Sequence, residues 1–98
     1  MTVNEYQKQA LRTVNRLLSE EGYMINGVLG LCGEAGECAD IVKKHLFQGH
    51  KMDKVHLAKE LGDVAWYLAL FAYSIGYDLN DIFRMNIDKR KAEIRLGI

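Results

Sequence analysis

Apolar side chains recur at helical spacing in four blocks of this chain, each separated from the next by glycine or a capping residue. In the first block Tyr6, Ala10, Val14, Leu17 and Leu18 share a side. Thr2-Val3-Asn4-Glu5 precedes them as a capping box, and the pattern stops near Gly22. The second block runs from about Ile25 to Leu46 with Leu29, Cys32, Ala35, Ala39 and Val42 as its apolar members, and Gln48-Gly49-His50 breaks it. Asp53 suits the N-cap of a third helix whose core face is Leu57, Leu61, Val64, Leu68, Phe71 and Ile75, closed by Gly76 as a C′ glycine. Asp78 caps a fourth helix bearing Ile82, Phe83, Ile87 and Ile94. The chain holds no proline. The expectation is an all-α, four-helix bundle-like core with antiparallel neighbours, residues 1–98 forming one domain.

The third block is apolar almost all round from Val64 to Tyr77. Such a helix must be covered on every side, and three short companions in a 98-residue chain leave part of it bare. A homodimer, or a dimer of dimers, is therefore expected. The same segment is shorter than the ~20 residues a membrane span needs, and Met1 to Gln9 are too polar for a signal peptide. No membrane association and a cytoplasmic location are expected.

Hydrophobic residues at 49% and charged residues at 27% are ordinary for a globular protein. Thirteen basic side chains balance thirteen acidic ones, so there is no broad basic field for a nucleic acid polymer, while a local patch can still meet a small phosphorylated ligand. Cys32 and Cys38, six apart on one helix, point to different sides and read as reduced thiols.

Glu34 and Glu37 are three apart and share a helix face, and Glu60 and Asp63 repeat that spacing on the next helix. The two pairs are centred at 35.5 and 61.5, each 13 residues from position 48.5, beside the break at Gly49. An antiparallel hairpin turning there brings all four acids to one height. Gly30, Gly33, Gly36 and Gly62 surround them, each costing about 1 kcal/mol relative to alanine inside a helix. That expense points to close backbone approach or to a ligand. Any one of these acids reads first as a solvated charge paired with Lys43, Lys44 or Lys59; four at one height among glycines read as a metal site. Carboxylates without thiolate or imidazole suit a hard cation, Mg²⁺ or Mn²⁺. No histidine lies three residues after a glutamate, against a di-iron bundle, and no Cys/His set suits zinc.

The runs Gly30-Leu31-Cys32-Gly33-Glu34-Ala35-Gly36-Glu37 and Glu60-Leu61-Gly62-Asp63-Val64-Ala65-Trp66-Tyr67-Leu68 resemble the MazG-like nucleotide pyrophosphohydrolases, all-α enzymes related to dimeric dUTPases and dCTP pyrophosphatases. The likeness extends from Asn4-Glu5-Tyr6-Gln7 to Asn86-Ile87-Asp88-Lys89-Arg90. That family's signature is Glu-Glu-x-x-Glu followed by Glu-x-x-Asp. Gly33 replaces the first glutamate here, which leaves the general base open.

The resemblance implies Mg²⁺-dependent hydrolysis of a nucleoside triphosphate between its α- and β-phosphates, with Glu34, Glu37, Glu60 and Asp63 as catalytic metal ligands. It also implies Asn86, Lys89 and Arg90 as phosphate-binding residues. Tyr67, four after Asp63, reads equally as a core aromatic or as a hydroxyl reaching phosphate. Lys44 reads equally as a phosphate contact or a surface lysine. Trp66 lies off the acidic face and reads as core or subunit interface, and His45, His50 and His56 read as exposed loop residues. The competing reading is a non-catalytic helical module that binds metal or a partner.

Overall fold

The computed structural model describes residues 1–97, and they form four α-helices: α1 (Val3–Leu11), α2 (Glu20–Gln48), α3 (Lys54–Ser74) and α4 (Leu79–Arg95). There is no strand among the described residues. The capping box is formed as expected: Glu5 N–H donates to Thr2 Oγ1 at 3.1 Å and Thr2 N–H to Glu5 Oε2 at 3.2 Å.

α1 is shorter than its apolar spacing predicts. It stops at Leu11, and the chain turns until Ser19, whose Oγ accepts the N–H of Gly22 at 3.0 Å and starts α2. Gly22 thus lies inside α2's first turn rather than ending α1, and α2 begins before Ile25. Asn15 Oδ1 accepts the N–H of Leu17 at 3.0 Å, so short polar side chains here supply the backbone with partners that compete with helix. Leu17, one of the apolar residues at helical spacing in the first block, is 94% exposed.

α2 and α3 form the antiparallel hairpin. Gly49 caps α2 in the left-handed region at φ 70°, and Asp53 Oδ1 accepts the N–H groups of Val55 and His56 to open α3. Along the hairpin Gly27 lies against the backbone of Phe71 and Gly30 under the ring of Tyr67, pairs centred on 49 and 48.5. The register read from the carboxylate spacing is the register of the fold. α3 closes in a Schellman motif: Tyr77 N–H reaches Ala72 O at 2.9 Å, Gly76 N–H reaches Tyr73 O at 3.0 Å, and Gly76 takes φ 85°.

The start of α4 corrects the expected role of Asp78, whose side chain makes no capping bond. Two side chains of α1 do that work: Gln7 Oε1 accepts from Leu79 N–H at 2.9 Å and Asn4 Oδ1 from Asn80 N–H at 3.1 Å. The core lies where α1, α3 and α4 meet, with Ala10, Ala69, Ala72 and Leu79 buried together and Val3, Tyr6, Trp66, Leu68 and Ile82 around them. Trp66 donates its Nε1–H to Thr13 Oγ1 at 2.9 Å, in keeping with a core role.

The expected core face of α3 is only partly right, since Leu61 is 56% and Ile75 48% exposed while Ala69, Leu70 and Ala72 are sealed. The nine-residue α1 packs on α3 around Ala69 and Ala72, α2 packs along the rest of the hairpin, and Leu61 and Ile75 fall on faces that neither covers. α4 packs on α1 and α3 but not on α2, so the radius of gyration is 16.1 Å, against about 13 Å for a compact domain of this length.

Candidate functional site

The hairpin register sets Glu34 and Glu37 of α2 opposite Glu60 of α3. One carboxylate oxygen from each of the three lies within 4.8 Å of the others. Glu34 Oε2 and Glu60 Oε2 are buried and have no hydrogen-bond partner, while Glu37 is exposed. Buried carboxylate oxygens without a donor are costly unless a proton or a cation reaches them.

The electrostatics agree. Glu34 is pushed up to about 7, chiefly by the facing carboxyl of Glu60, with which it can bond only through a shared proton. Burial and the charges of Glu37, Glu60 and Asp63 act in the same direction. Glu37 is raised as well, first by the Glu60 carboxyl and then by its charge. The Cys38 thiol is raised by burial and by the negative field of the four acids. The group therefore repels itself and favours added positive charge.

Asp63 lies outside the 4.8 Å group. Its charge nevertheless reaches Glu34, Glu37, Cys38 and Tyr6, so it stands beside the cluster. Of the glycines expected to mark close approach, Gly30 does so, because an added Cβ there would run into the Tyr67 ring. At Gly33, Gly36 and Gly62 a Cβ would meet open space, so close packing within this chain does not explain them.

Tyr67 is half-buried, its ring over Gly30 and edge-on to Trp66 at 5.0 Å. Lys44 Nζ pairs with Asp40 at 2.9 Å. Asn86, Lys89 and Arg90 are exposed on α4, and among the described residues no hydrogen bond or ion pair joins them to the carboxylates. Arg90 instead approaches Glu93 at 3.3 Å.

The histidines need correcting, because only His50 is in the connection. His45 is in the last turn of α2 and His56 in the first turn of α3, though all three are exposed. His56 Nε2 sits 3.7 Å from Glu60 Oε1, beside the cluster. The signal was present in the sequence, since the two are four residues apart on one helix face.

The three glutamates fit a divalent cation by their chemistry and by their two unpartnered buried oxygens. No helix is long and apolar enough to cross a membrane.

Comparison with known proteins gives the family. The chain is 35% identical over 74 residues to the Gene 37 protein of Mycobacterium phage L5, an overlap covering 71% of this chain and 65% of that protein. The chain therefore spans less than two-thirds of the length of that curated relative. No solved structure matches it. The model of the MazG nucleotide pyrophosphohydrolase domain matches residues 26–93, a span holding both acidic pairs, Tyr67 and the Asn86–Arg90 segment, and the chain belongs to that family.

Proposed function

We propose that this protein hydrolyses nucleoside triphosphates between the α- and β-phosphates, releasing a nucleoside monophosphate and pyrophosphate, with Mg²⁺ held by Glu34, Glu37, Glu60 and the neighbouring Asp63. The observation that carries this reading is the pair of buried, unpartnered oxygens on Glu34 and Glu60 facing each other across the hairpin. Mn²⁺ has the same preference for oxygen and would substitute.

The bound cation would neutralise phosphate charge and make an attacking water more acidic. The side chains do the rest. Glu34 and Glu60 would hold the cation through their buried oxygens. Glu37, the exposed member of the three, accepts the proton of the water as its oxygen bonds to the α-phosphorus. The bond from that phosphorus to the bridging oxygen breaks, and pyrophosphate leaves with the electron pair. Tyr67, held against Gly30, borders the site on the side away from the hairpin turn.

The working unit is a homodimer in this reading. Leu29, Leu61, Tyr73, Phe83 and Ile87 are 42–65% exposed, which suits a shared core. A second copy also gives Asn86, Lys89 and Arg90 a route to the triphosphate that α4 lacks within one chain.

Incubation with Mg²⁺ and a panel of triphosphates, with separate detection of pyrophosphate and orthophosphate, tests the reaction. Pyrophosphate in step with monophosphate is expected, abolished by Glu60→Gln. Orthophosphate alone would refute α–β cleavage, and no turnover by folded protein would favour the non-catalytic module.

A further inference from the structure

The carboxylates are one part of a longer face. On α2 the stripe Glu34, Glu37, Ile41 and Lys44 advances by three or four residues, and on α3 so does the stripe His56, Glu60, Asp63 and Tyr67. Followed toward the turn, both change from acid to base, α2 from Glu37 to Lys44 and α3 from Asp63 to His56. At the turn they border an open cleft of about 200 Å³ lined by Ile41, Lys44, His50, Lys51, Asp53 and His56. We infer that this cleft is the subsite for the β- and γ-phosphates of the substrate, with Lys44, His50, Lys51 and His56 as its donors. The inference rests on the pyrophosphohydrolase reading and deepens it.

The cleft adjoins the carboxylates through His56, whose Nε2 is 3.7 Å from Glu60 Oε1. His56 is thus the side chain shared by the two, placed to follow a polyphosphate from the acids toward the turn. The helix rise of 1.5 Å per residue puts His56 about 6 Å from Glu60 along the axis, on the side of the turn. Tyr67 lies on the opposite side. The arrangement orients the substrate, with pyrophosphate at the turn and the nucleoside toward Tyr67. Pockets for drug-sized ligands start near about 300 Å³, so this one suits two phosphate groups better than a nucleoside.

The turn is held in place before any ligand arrives. Gly49 adopts φ 70°, His50 N–H donates to Lys44 O at 3.1 Å, and His45 Nδ1–H donates to His50 O at 2.9 Å. These bonds fix the backbone at His50. The two acids nearby are already committed. Asp53 accepts the first amides of α3, and Asp40 pairs with Lys44 at 2.9 Å. Lys51 forms no ion pair among the described residues, which makes it the strongest open cation of the cleft. Charge-assisted bonds from such groups are strong toward phosphate oxygens, and the most charged part of a triphosphate is its terminal pair. A nucleoside diphosphate fills half the subsite, so the site selects triphosphates.

Calorimetric titration of inorganic pyrophosphate in Mg²⁺ buffer tests the subsite without turnover. Wild-type protein should bind. Lys51→Glu should weaken binding by about tenfold or more, the scale of one lost charge-assisted bond, and Lys51→Ala by a smaller factor in the same direction. Lys8→Glu, a charge reversal on exposed α1, should change it less than about twofold, as remote screened charges do. All three variants should melt like wild type, because neither lysine is buried. Absence of pyrophosphate binding, equal affinity in wild type and Lys51→Glu, or equal loss in Lys51→Glu and Lys8→Glu would overturn the inference. The catalytic reading is judged separately by pyrophosphate release from wild type: release with Lys51-independent binding removes the subsite and leaves the reaction standing.

Discussion

Leu79 at the start of α4 donates its N–H to Oε1 of Gln7 on α1 at 2.9 Å, across 72 residues of sequence. The Nε2 of the same Gln7 donates to Ala69 O at 3.1 Å and Tyr77 O at 3.3 Å. One side chain, 5% exposed, therefore joins α1 to α3, to the α3–α4 turn and to α4. Gln7→Ala leaves the buried Leu79 N–H without a partner and removes the bonds to Ala69 O and the part-buried Tyr77 O, and should cost about 2–3 kcal/mol. Gln7→Glu keeps the acceptor for Leu79 but sets a carboxylate against two carbonyls, so it too should destabilise. Denaturant melts of the three proteins measure both, and loss of α4 packing should lower cooperativity as well.

The glycines divide into two kinds, and alanine tells them apart. At Gly27 an added Cβ would stand 2.9 Å from the Phe71 backbone, so Gly27→Ala must push α2 off α3 and should cost about 1–3 kcal/mol. At Gly36 it meets nothing within 4 Å. Gly36→Ala should instead gain up to about 1 kcal/mol from helix propensity. If Gly36 lies where substrate or a second subunit approaches, the variant will be more stable and less active. Paired melting and turnover measurements check both signs.

Much of this was legible in the chain, for particular reasons. The hairpin register followed from two equal spacings, because three-residue steps and a fixed turn leave little freedom. Asp53, Gly76 and the Thr2–Glu5 box acted as expected, since capping chemistry is local. The extent of α1 was not legible: Val14, Leu17 and Leu18 continue the apolar spacing, and only Asn15 and Ser19 betray the competing turn. The capping of α4 was not legible either, because its acceptors lie on α1 and Asp78 was the nearer candidate. His56, by contrast, was legible, because an N-cap at Asp53 already places it in the first turn of α3 on the face of Glu60. Local rules found the elements, and tertiary contacts decided their ends.

Dimerisation makes a separate prediction. Tyr73 and Ile75 of α3 are 53% and 48% exposed, and Ile87 and Ile94 of α4 are 53% and 76% exposed, apolar surface that the proposed second copy would cover. Sedimentation at low micromolar concentration should give a dimer mass or its double. Ile87→Asp should shift the mass toward monomer and lower the melting temperature together, because folding and association are linked in such assemblies. A compact, stable wild-type monomer would contradict the proposed assembly.

Glu34 links stability to pH and to metal with opposite signs. Its carboxyl is raised from the ordinary range to about 7, chiefly by the facing Glu60 carboxyl, so the folded protein binds a proton that the unfolded chain gives up near 4.5. The stabilisation this brings is complete below that lower value and is lost as pH rises through about 7. With EDTA present, the melting temperature should therefore fall between pH 5 and pH 7.5, and Glu34→Gln should flatten that fall. Mg²⁺ competes with the proton for the same oxygens and binds only the folded state, so its stabilisation should grow over the same interval. Glu60→Gln removes a buried ligand and should abolish the Mg²⁺ shift. Asp63→Asn, beside the group rather than in it, should reduce the shift and leave the metal-free melt unchanged or raised, since it removes one repelling charge. Both variants should lose turnover. Melts of the four proteins at both pH values, with EDTA and with Mg²⁺ at matched ionic strength, give every sign in one experiment. A metal-free melt that rises with pH, or an equal Mg²⁺ shift in Glu60→Gln and wild type, would show that these acids are not a cation site.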